Sequence, residues 1–211
     1  MMSMVRVKVC GITNLADAEK ALECGADMLG FNFYPPSPRA IAPGRAHEIL
    51  RQLPPSSCNV ALFVNEARAE IERVVAQGRL ADGRTAYSAL QFHGDESADF
   101  CRGWSLKVIK AFRLKGKDSL SPMRDFPADF YLLDSWSGGY GGSGESFPWE
   151  WLEGIDAARI ILSGGLRVEN VAAAIRRIRP YGVDVCSGVE ARPGIKDHVR
   201  LKEFILAAKS A

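Results

Sequence analysis

The sequence predicts an α/β fold in which eight parallel strands close into a (β/α)8 barrel. Three observations carry that expectation. Short apolar runs rich in Val, Ile and Leu alternate from end to end with segments of helical period, the pattern of a parallel sheet covered on its outer face. Eight strand-then-helix units can be counted in 211 residues, which suits a compact barrel. A doubly wound open sheet, the structural rival, has about five or six units and a Gly-x-Gly-x-x-Gly turn after its first strand; this chain has no such turn. With 47% hydrophobic residues, one well-buried core is expected, and residues 1–211 are read as one domain.

The first strand spans residues 5–10. Asn14 caps a helix that carries Leu15, Ala18 and Leu22 on one face, and Gly25 stops it. The second strand covers 27–33. Pro43 opens a helix with Ala46, Ile49, Leu50 and Leu53 at i, i+3, i+4 and i+7, and Pro54-Pro55 ends it. Residues 59–64 form the third strand, and Ile71, Val74 and Val75 stripe the helix after it. The fourth strand, 89–93, is followed by a short helix from Asp95; the fifth, 106–112, by a weak one. The sixth strand is 130–134. The seventh, 159–163, leads to a helix bearing Val168, Val171, Ala172, Ile175 and Ile178. The eighth is 183–187, and a last helix presents Leu201, Phe204, Ile205 and Ala208.

Composition removes several function classes. The formal net charge is +2 and no basic block stands out, so nucleic acid is not an expected partner. No apolar stretch is long enough to span a bilayer. Met1-Met2-Ser3-Met4 has no signal-peptide core. The five cysteines are odd in number, scattered and without a Cys-x-x-Cys pair, which reads as reduced thiols in a cytoplasmic protein.

In a barrel the C-terminal strand ends build the active site. Here they offer Cys10, Phe33-Tyr34, Val64-Asn65, Gln91-Phe92-His93, Phe112-Arg113, Asp134, Ser163-Gly164-Gly165 and Cys186-Ser187-Gly188. A thiolate can take a proton and a carboxylic acid can give one, so Cys10 and Asp134 supply what a proton-shuttling isomerase requires. The two glycine-rich turns each precede a helix. Small residues let backbone N–H groups approach an anion, and barrels often hold phosphate there. Lys8, two residues before Cys10, shares its face; inside the barrel its ammonium would either favour the thiolate or pair with Asp184 on the eighth strand. Plainer readings compete. A strand cysteine is usually a small core residue, and Asp134 before a Ser/Gly loop can cap a turn. His93 reads as a packed strand-end histidine that supports the pocket with Gln91. Arg39, in a Pro-rich loop, reads by itself as a solvated side chain. Residues 138–144 read as a tether or a lid, and their place beside Asp134 favours the lid.

Taken together, Lys8-Val9-Cys10-Gly11-Ile12-Thr13, Gly30-Phe31-Asn32-Phe33-Tyr34 with Ser37-Pro38-Arg39, Phe63-Val64-Asn65, Gln91-Phe92-His93-Gly94, Leu133-Asp134 with Gly141-Gly142-Ser143-Gly144, Leu162-Ser163-Gly164-Gly165-Leu166 and Ser187-Gly188-Val189-Glu190 resemble the phosphoribosylanthranilate isomerases. The resemblance runs from the first strand to the last helix. It implies a barrel of tryptophan biosynthesis that converts N-(5-phosphoribosyl)anthranilate to the carboxyphenylamino-deoxyribulose phosphate by an Amadori rearrangement, with no metal or organic cofactor. It also implies roles. Cys10 would be the general base and Asp134 the general acid. Arg39 would bind the anthranilate carboxylate, and Asp184 would contact the substrate near its amino group. Gly164, Gly165, Ser187 and Gly188 would hold the phosphate. The partner would be a small phosphorylated aminosugar, bound by a monomer or homodimer.

Three departures from the family pattern stand out: Pro148 where Asp or Asn is usual, Cys186 where Ser is common, and a longer segment over residues 78–88. Rival readings fit less well. A histidine-pathway aminoaldose isomerase uses aspartates at both catalytic strand ends, which Cys10 opposes. A pentose-phosphate epimerase wants metal-binding His and Asp residues on several strands, and the chain has three histidines. A non-catalytic phosphate-binding barrel needs neither Cys10 nor Asp134.

Overall fold

A computed structural model describes residues 5–80, 82–123, 125–136 and 146–211. Eight strands close into a barrel in sequence order: β1 (Arg6–Cys10), β2 (Met28–Asn32), β3 (Cys58–Phe63), β4 (Ala89–Phe92), β5 (Lys107–Leu114), β6 (Phe130–Ser135), β7 (Ile160–Leu162) and β8 (Gly182–Val185). All neighbours run parallel, and β8 pairs back onto β1 with Lys8 level with Asp184 and Val9 level with Val185. The fold class is the (β/α)8, or TIM, barrel that the alternation of strands and helices predicts.

Side-chain alternation sorts the strands into layers. Val7, Val9, Leu29, Phe31, Leu90, Phe92, Leu133 and Val183 point outward into the large shell packed under the helices. Inside, Met28, Val60, Ala89, Ile109, Leu132 and Ile161 plug the N-terminal end of the barrel. Toward the C-terminal end the interior turns polar, with Lys8, Gln91, Asp134 and Asp184 all buried. Buried charge is costly unless paired, so this layer is built for chemistry or for binding rather than for packing.

Among the described residues five α-helices cover the barrel: α1 (Leu15–Glu23), α2 (Pro43–Leu50), α3 (Arg68–Gln77), α4 (Val168–Ile178) and α5 (His198–Lys209). Their ends follow local chemistry. The Asn14 side chain accepts from the Asp17 N–H at 2.9 Å to cap α1. Pro43 opens α2 in the first helical turn. Asp197 caps α5 by accepting from the Val199 and Arg200 N–H groups.

Four connections depart from strand-then-helix. No helix starts at Asp95. Instead Glu96 turns inward: its carboxylate accepts from the Lys110 ammonium at 2.9 Å and from the Asn65 and Gly94 N–H groups. Phe100 and Trp104 pack on Phe92 in place of a helix face, with Arg68 stacked 3.9 Å over the Trp104 ring. After β5 and β6 the described residues hold only 3-10 turns, Lys117–Met123, Trp149–Leu152 and Ala157–Arg159. Pro122 inside the first of these removes a backbone donor. The fourth departure follows β8. A 3-10 turn, Ser187–Val189, and a small antiparallel hairpin of β9 (Glu190–Arg192) and β10 (Ile195–Lys196) intervene before α5. The segment 78–88 is closed by an Arg79–Thr85 bridge and drives Tyr87 into the core, edge-on to Phe33 at 6.0 Å. It is therefore partly core. Residues 138–144, read from sequence as a tether or lid, lie outside the described residues.

Candidate active site

A cleft of about 740 Å³ opens at the C-terminal end of the barrel. Cys10, Arg39, His93, Asp134, Gly164, Gly165, Asp184, Cys186, Ser187 and Gly188 all line it. Gln91 lies one layer deeper, fully buried, and reaches the cleft only through His93. Every site residue singled out in the sequence thus belongs to this cleft or to the layer beneath it.

Cys10 ends β1 and is 7% exposed. The neighbouring strand β2 makes room for it with Gly30, where a Cβ would lie 2.9 Å from the Cys10 Sγ and 3.1 Å from the Lys8 Nζ. The Cys10 thiol is pulled down to about 6, mainly by a hydrogen bond donated by the Cys186 thiol. Burial and Asp184 oppose that shift, and the Lys8 and Lys196 ammonium groups reinforce it. Cys186 moves the other way: donating to Cys10 and burial push its thiol well above the ordinary value. At the β1–β8 seam these influences favour the thiolate on Cys10 and the thiol on Cys186.

Both sequence readings of Lys8 hold together. Its Nζ donates to Asp184 Oδ1 at 2.7 Å, and its charge also favours the Cys10 thiolate. Burial works against the ammonium, but Asp184 and Cys10 outweigh it and hold Lys8 charged. Asp184 Oδ2 accepts from the Ser163 hydroxyl at 3.0 Å, so both carboxylate oxygens are engaged at the floor of the cleft.

Asp134 ends β6. Its Oδ1 accepts from the Ser135 N–H at 2.8 Å, and its Oδ2 lies 3.3 Å from the His93 Nε2. The Gln91 amide sits 3.1 Å from the other ring nitrogen, Nδ1. With the amide nitrogen donating there, a neutral His93 carries its proton on Nε2, facing the carboxylate. Gln91 and His93 thus lie behind Asp134, with His93 Nε2 near its carboxylate but without a hydrogen bond to it.

Arg39 is not a solvated loop residue. Its Nε and Nη2 clasp the Glu190 carboxylate at 2.9 and 2.7 Å, and its side chain is 18% exposed. The edge of the guanidinium formed by Nε and Nη2 is thus occupied, and only the remaining N–H groups can meet a ligand. Glu190 is held low, chiefly by Arg39 and Lys196 acting against burial.

The seventh turn is shaped by glycine. Gly164 and Gly165 take φ of 78° and 64°, and a Cβ on Gly164 would come within 2.5 Å of the Ser135 backbone nitrogen. This turn leads to α4, as expected. The eighth turn does not lead directly to α5; its Ser187–Val189 stretch is itself the first turn of a short 3-10 segment. Of the sequence departures, Cys186 faces the cleft, whereas Pro148 lines a separate surface depression with Leu114, Trp136 and Trp151.

Comparison with known proteins decides the family. A family model described as "PRAI: N-(5'phosphoribosyl)anthranilate (PRA) isomerase" matches residues 7–207. The chain belongs to the N-(5'-phosphoribosyl)anthranilate isomerase family. It is an isomerase of tryptophan biosynthesis. The family member from Pelobacter propionicus is 48% identical over 98% of this chain and 96% of its own. The crystal structure of the family member from Thermotoga maritima matches at 43% identity with a TM-score of 0.87, covering 99% of this chain and 100% of that one. A further family structure, in complex with reduced 1-(o-carboxyphenylamino)-1-deoxyribulose 5-phosphate, matches at 40% identity and a TM-score of 0.82 over 99% of this chain and 100% of that one. A third describes mutually generated monomers of the dimeric Thermotoga maritima enzyme, at 38% identity and a TM-score of 0.83 over 99% and 100%.

Sequence reasoning missed Lys196. Its ammonium is buried and donates to the Cys10 carbonyl at 2.6 Å and to Glu190 at 3.2 Å. Nothing in the local pattern of β10 signals it. Glu190 was visible only as the last residue of the Ser187-Gly188-Val189-Glu190 motif, without a role.

Proposed function

We propose that this isomerase performs the Amadori rearrangement of N-(5-phosphoribosyl)anthranilate with Asp134 as general acid and Cys10 as general base. The observation that carries the reading is a buried thiol, with the Lys8 and Lys196 ammonium groups favouring its thiolate, in the same cleft as a carboxyl group on a different strand end. Asp134 protonates the ring oxygen of the aminosugar, and the ring opens to a Schiff base. The Cys10 thiolate then removes the proton from the neighbouring carbon. The resulting enolamine tautomerises to the ketone. A base with its midpoint near 6 is mostly ionised at neutral pH, the condition for efficient proton transfer.

The other residues bind. The N–H groups of Arg39 that Glu190 leaves free take the anthranilate carboxylate. Asp184, anchored by Lys8 and Ser163, faces the amino group. Gly164, Gly165, Ser187 and Gly188 hold the phosphate with backbone N–H groups. Residues 1–211 act as one domain, in the cytoplasm, on a small phosphorylated aminosugar. The chain works as a monomer or homodimer and needs no metal or organic cofactor. The bound product analogue in one relative and the dimer described for another support the ligand and the assembly.

The test is turnover of purified protein with N-(5-phosphoribosyl)anthranilate. Cys10→Ser should retain the wild-type melting temperature and lose about 10²–10⁴-fold in kcat, the contribution of a positioned base. Near-wild-type turnover in that variant would place the base elsewhere.

A further inference from the structure

The Cys10–Cys186 contact has chemistry that the isomerisation does not use. The β1–β8 register, Lys8 beside Asp184 and Val9 beside Val185, carried one residue further sets Cys10 beside Cys186. Neighbouring strands lie about 4.8 Å apart, inside the Cα separation of roughly 4.4–6.8 Å that a disulfide spans. Both residues line the same cleft, and Cys186 packs against the small cluster that holds Cys10. A single ammonium holds the two backbones together: Lys196 Nζ donates to the Cys10 carbonyl at 2.6 Å and to the Cys186 carbonyl at 3.4 Å. That ammonium also lies 3.9 Å from the Cys186 Sγ.

We propose that Cys10 and Cys186 form a reversible oxidation site, in which a hydroperoxide small enough to enter the cleft converts the pair to a disulfide across the β1–β8 seam. The Cys10 thiolate attacks one peroxide oxygen, the O–O bond breaks, and the departing alkoxide takes a proton to become an alcohol. Cys10 is left as a sulfenic acid. The Cys186 sulfur then attacks the Cys10 sulfur, gives up its proton, and displaces the hydroxyl as water. Two thiols lose two electrons in total, and the hydroperoxide is reduced to alcohol and water. The second step is assisted by the first. Cys186 is held protonated mainly by donating to Cys10. When Cys10 carries a neutral sulfenic acid that demand falls away, and Lys196 favours the Cys186 thiolate.

The site is selective. Burial pushes the Cys101 thiol up to about 11 and raises that of Cys58, and a protonated thiol is a poor nucleophile. Cys24 lies on the outer shell beyond α1, apart from the cleft. Oxidation would remove the thiolate that serves as base, so the same event would switch off turnover until a thiol reductant restores the pair.

The experiment treats the native protein with hydrogen peroxide and reads cysteine chemistry by thiol titration and by non-reducing tryptic mass spectrometry. The wild type should fall from five free thiols to three, which leaves Cys24, Cys58 and Cys101. Peptide 9–20 should appear joined to peptide 178–196, and dithiothreitol should restore all five thiols. Cys186→Ser, checked for native melting, should give no joined peptide; its Cys10 should advance to the sulfinic acid, which dithiothreitol does not reverse. Cys10→Ser should keep all four of its thiols. A wild type whose Cys10 reaches the sulfinic acid without the joined peptide would overturn the proposal. So would a Cys186→Ser protein whose Cys10 remains fully recoverable. The readout is covalent and does not depend on turnover, so its failure is distinct from a failure of the isomerase reading.

Discussion

Replacing Cys186 with Ala removes the donor that contributes most to the Cys10 thiolate and leaves every other charge in place. The thiol sits at about 6 against an ordinary 9.0, and the Cys186 hydrogen bond is the largest cause of that difference. Lys8 and Lys196 remain to favour the thiolate, while burial and Asp184 still oppose it. The Cys10 midpoint should therefore rise from about 6 toward the ordinary 9.0. At pH 7 a thiol with its midpoint at about 6 is about 0.9 ionised, and the fraction falls about tenfold for each further pH unit of rise above 7. A single-pH alkylation rate hides part of this change. A thiolate of higher pKa is intrinsically more nucleophilic, with a Brønsted slope of about 0.4–0.5, and each pH unit of rise regains about two- to threefold. The informative measurement is the alkylation rate of Cys10 by iodoacetamide from pH 5 to pH 10, read on peptide 9–20. The plateau should rise and the midpoint should move up in Cys186→Ala, and Cys186→Ser, whose hydroxyl still donates, should titrate close to the wild type. A wild-type midpoint near 9, or an alanine variant that titrates with the wild type, would refute the electrostatic account of this thiol.

Three further outcomes are expected. Asp134→Asn keeps size and hydrogen bonding but cannot give a proton, so kcat should fall by about 10²–10⁴-fold with little change in KM; a defect confined to KM would end the general-acid role. Arg39→Met should raise KM for the carboxylated substrate far more than for an analogue lacking the carboxylate. It should also lower the melting temperature, because it strips Glu190 of a partner in a pair whose side chains are 18% and 4% exposed; equal effects on both substrates would leave Arg39 a purely structural residue. Inorganic sulfate at ten times its Kd should stabilise the wild type by about 1.4 kcal/mol through mass action. Gly165→Val should abolish that gain, since a β-branched residue is strained at φ 64°; undiminished stabilisation would put the anion elsewhere.

Strand ends are a one-dimensional property, and that is why so much of the site was legible. The apolar run into Cys10, the run into Asp134 and the Gly164-Gly165 turn after β7 are each encoded within about six residues. A closed parallel barrel then brings all strand C-termini to one face. The helices with local start signals, at Asn14 and Pro43, also formed where the sequence places them. The expected helix at Asp95 did not, because Glu96 is drawn inward by Lys110, fourteen residues on, and by backbone donors from the preceding loop.

What the sequence by itself determined was which chemical groups stand at the mouth of the barrel. Only the tertiary structure decided their state. The Cys10 thiolate depends on Cys186, the fit of Arg39 on Glu190, 151 residues away, and the neutralisation of Lys8 on Asp184, 176 residues away. Hydrophobic period reports which face of a strand is buried, whereas charge state in a low-dielectric interior is set by distances of about 3–4 Å between groups that only barrel closure brings together.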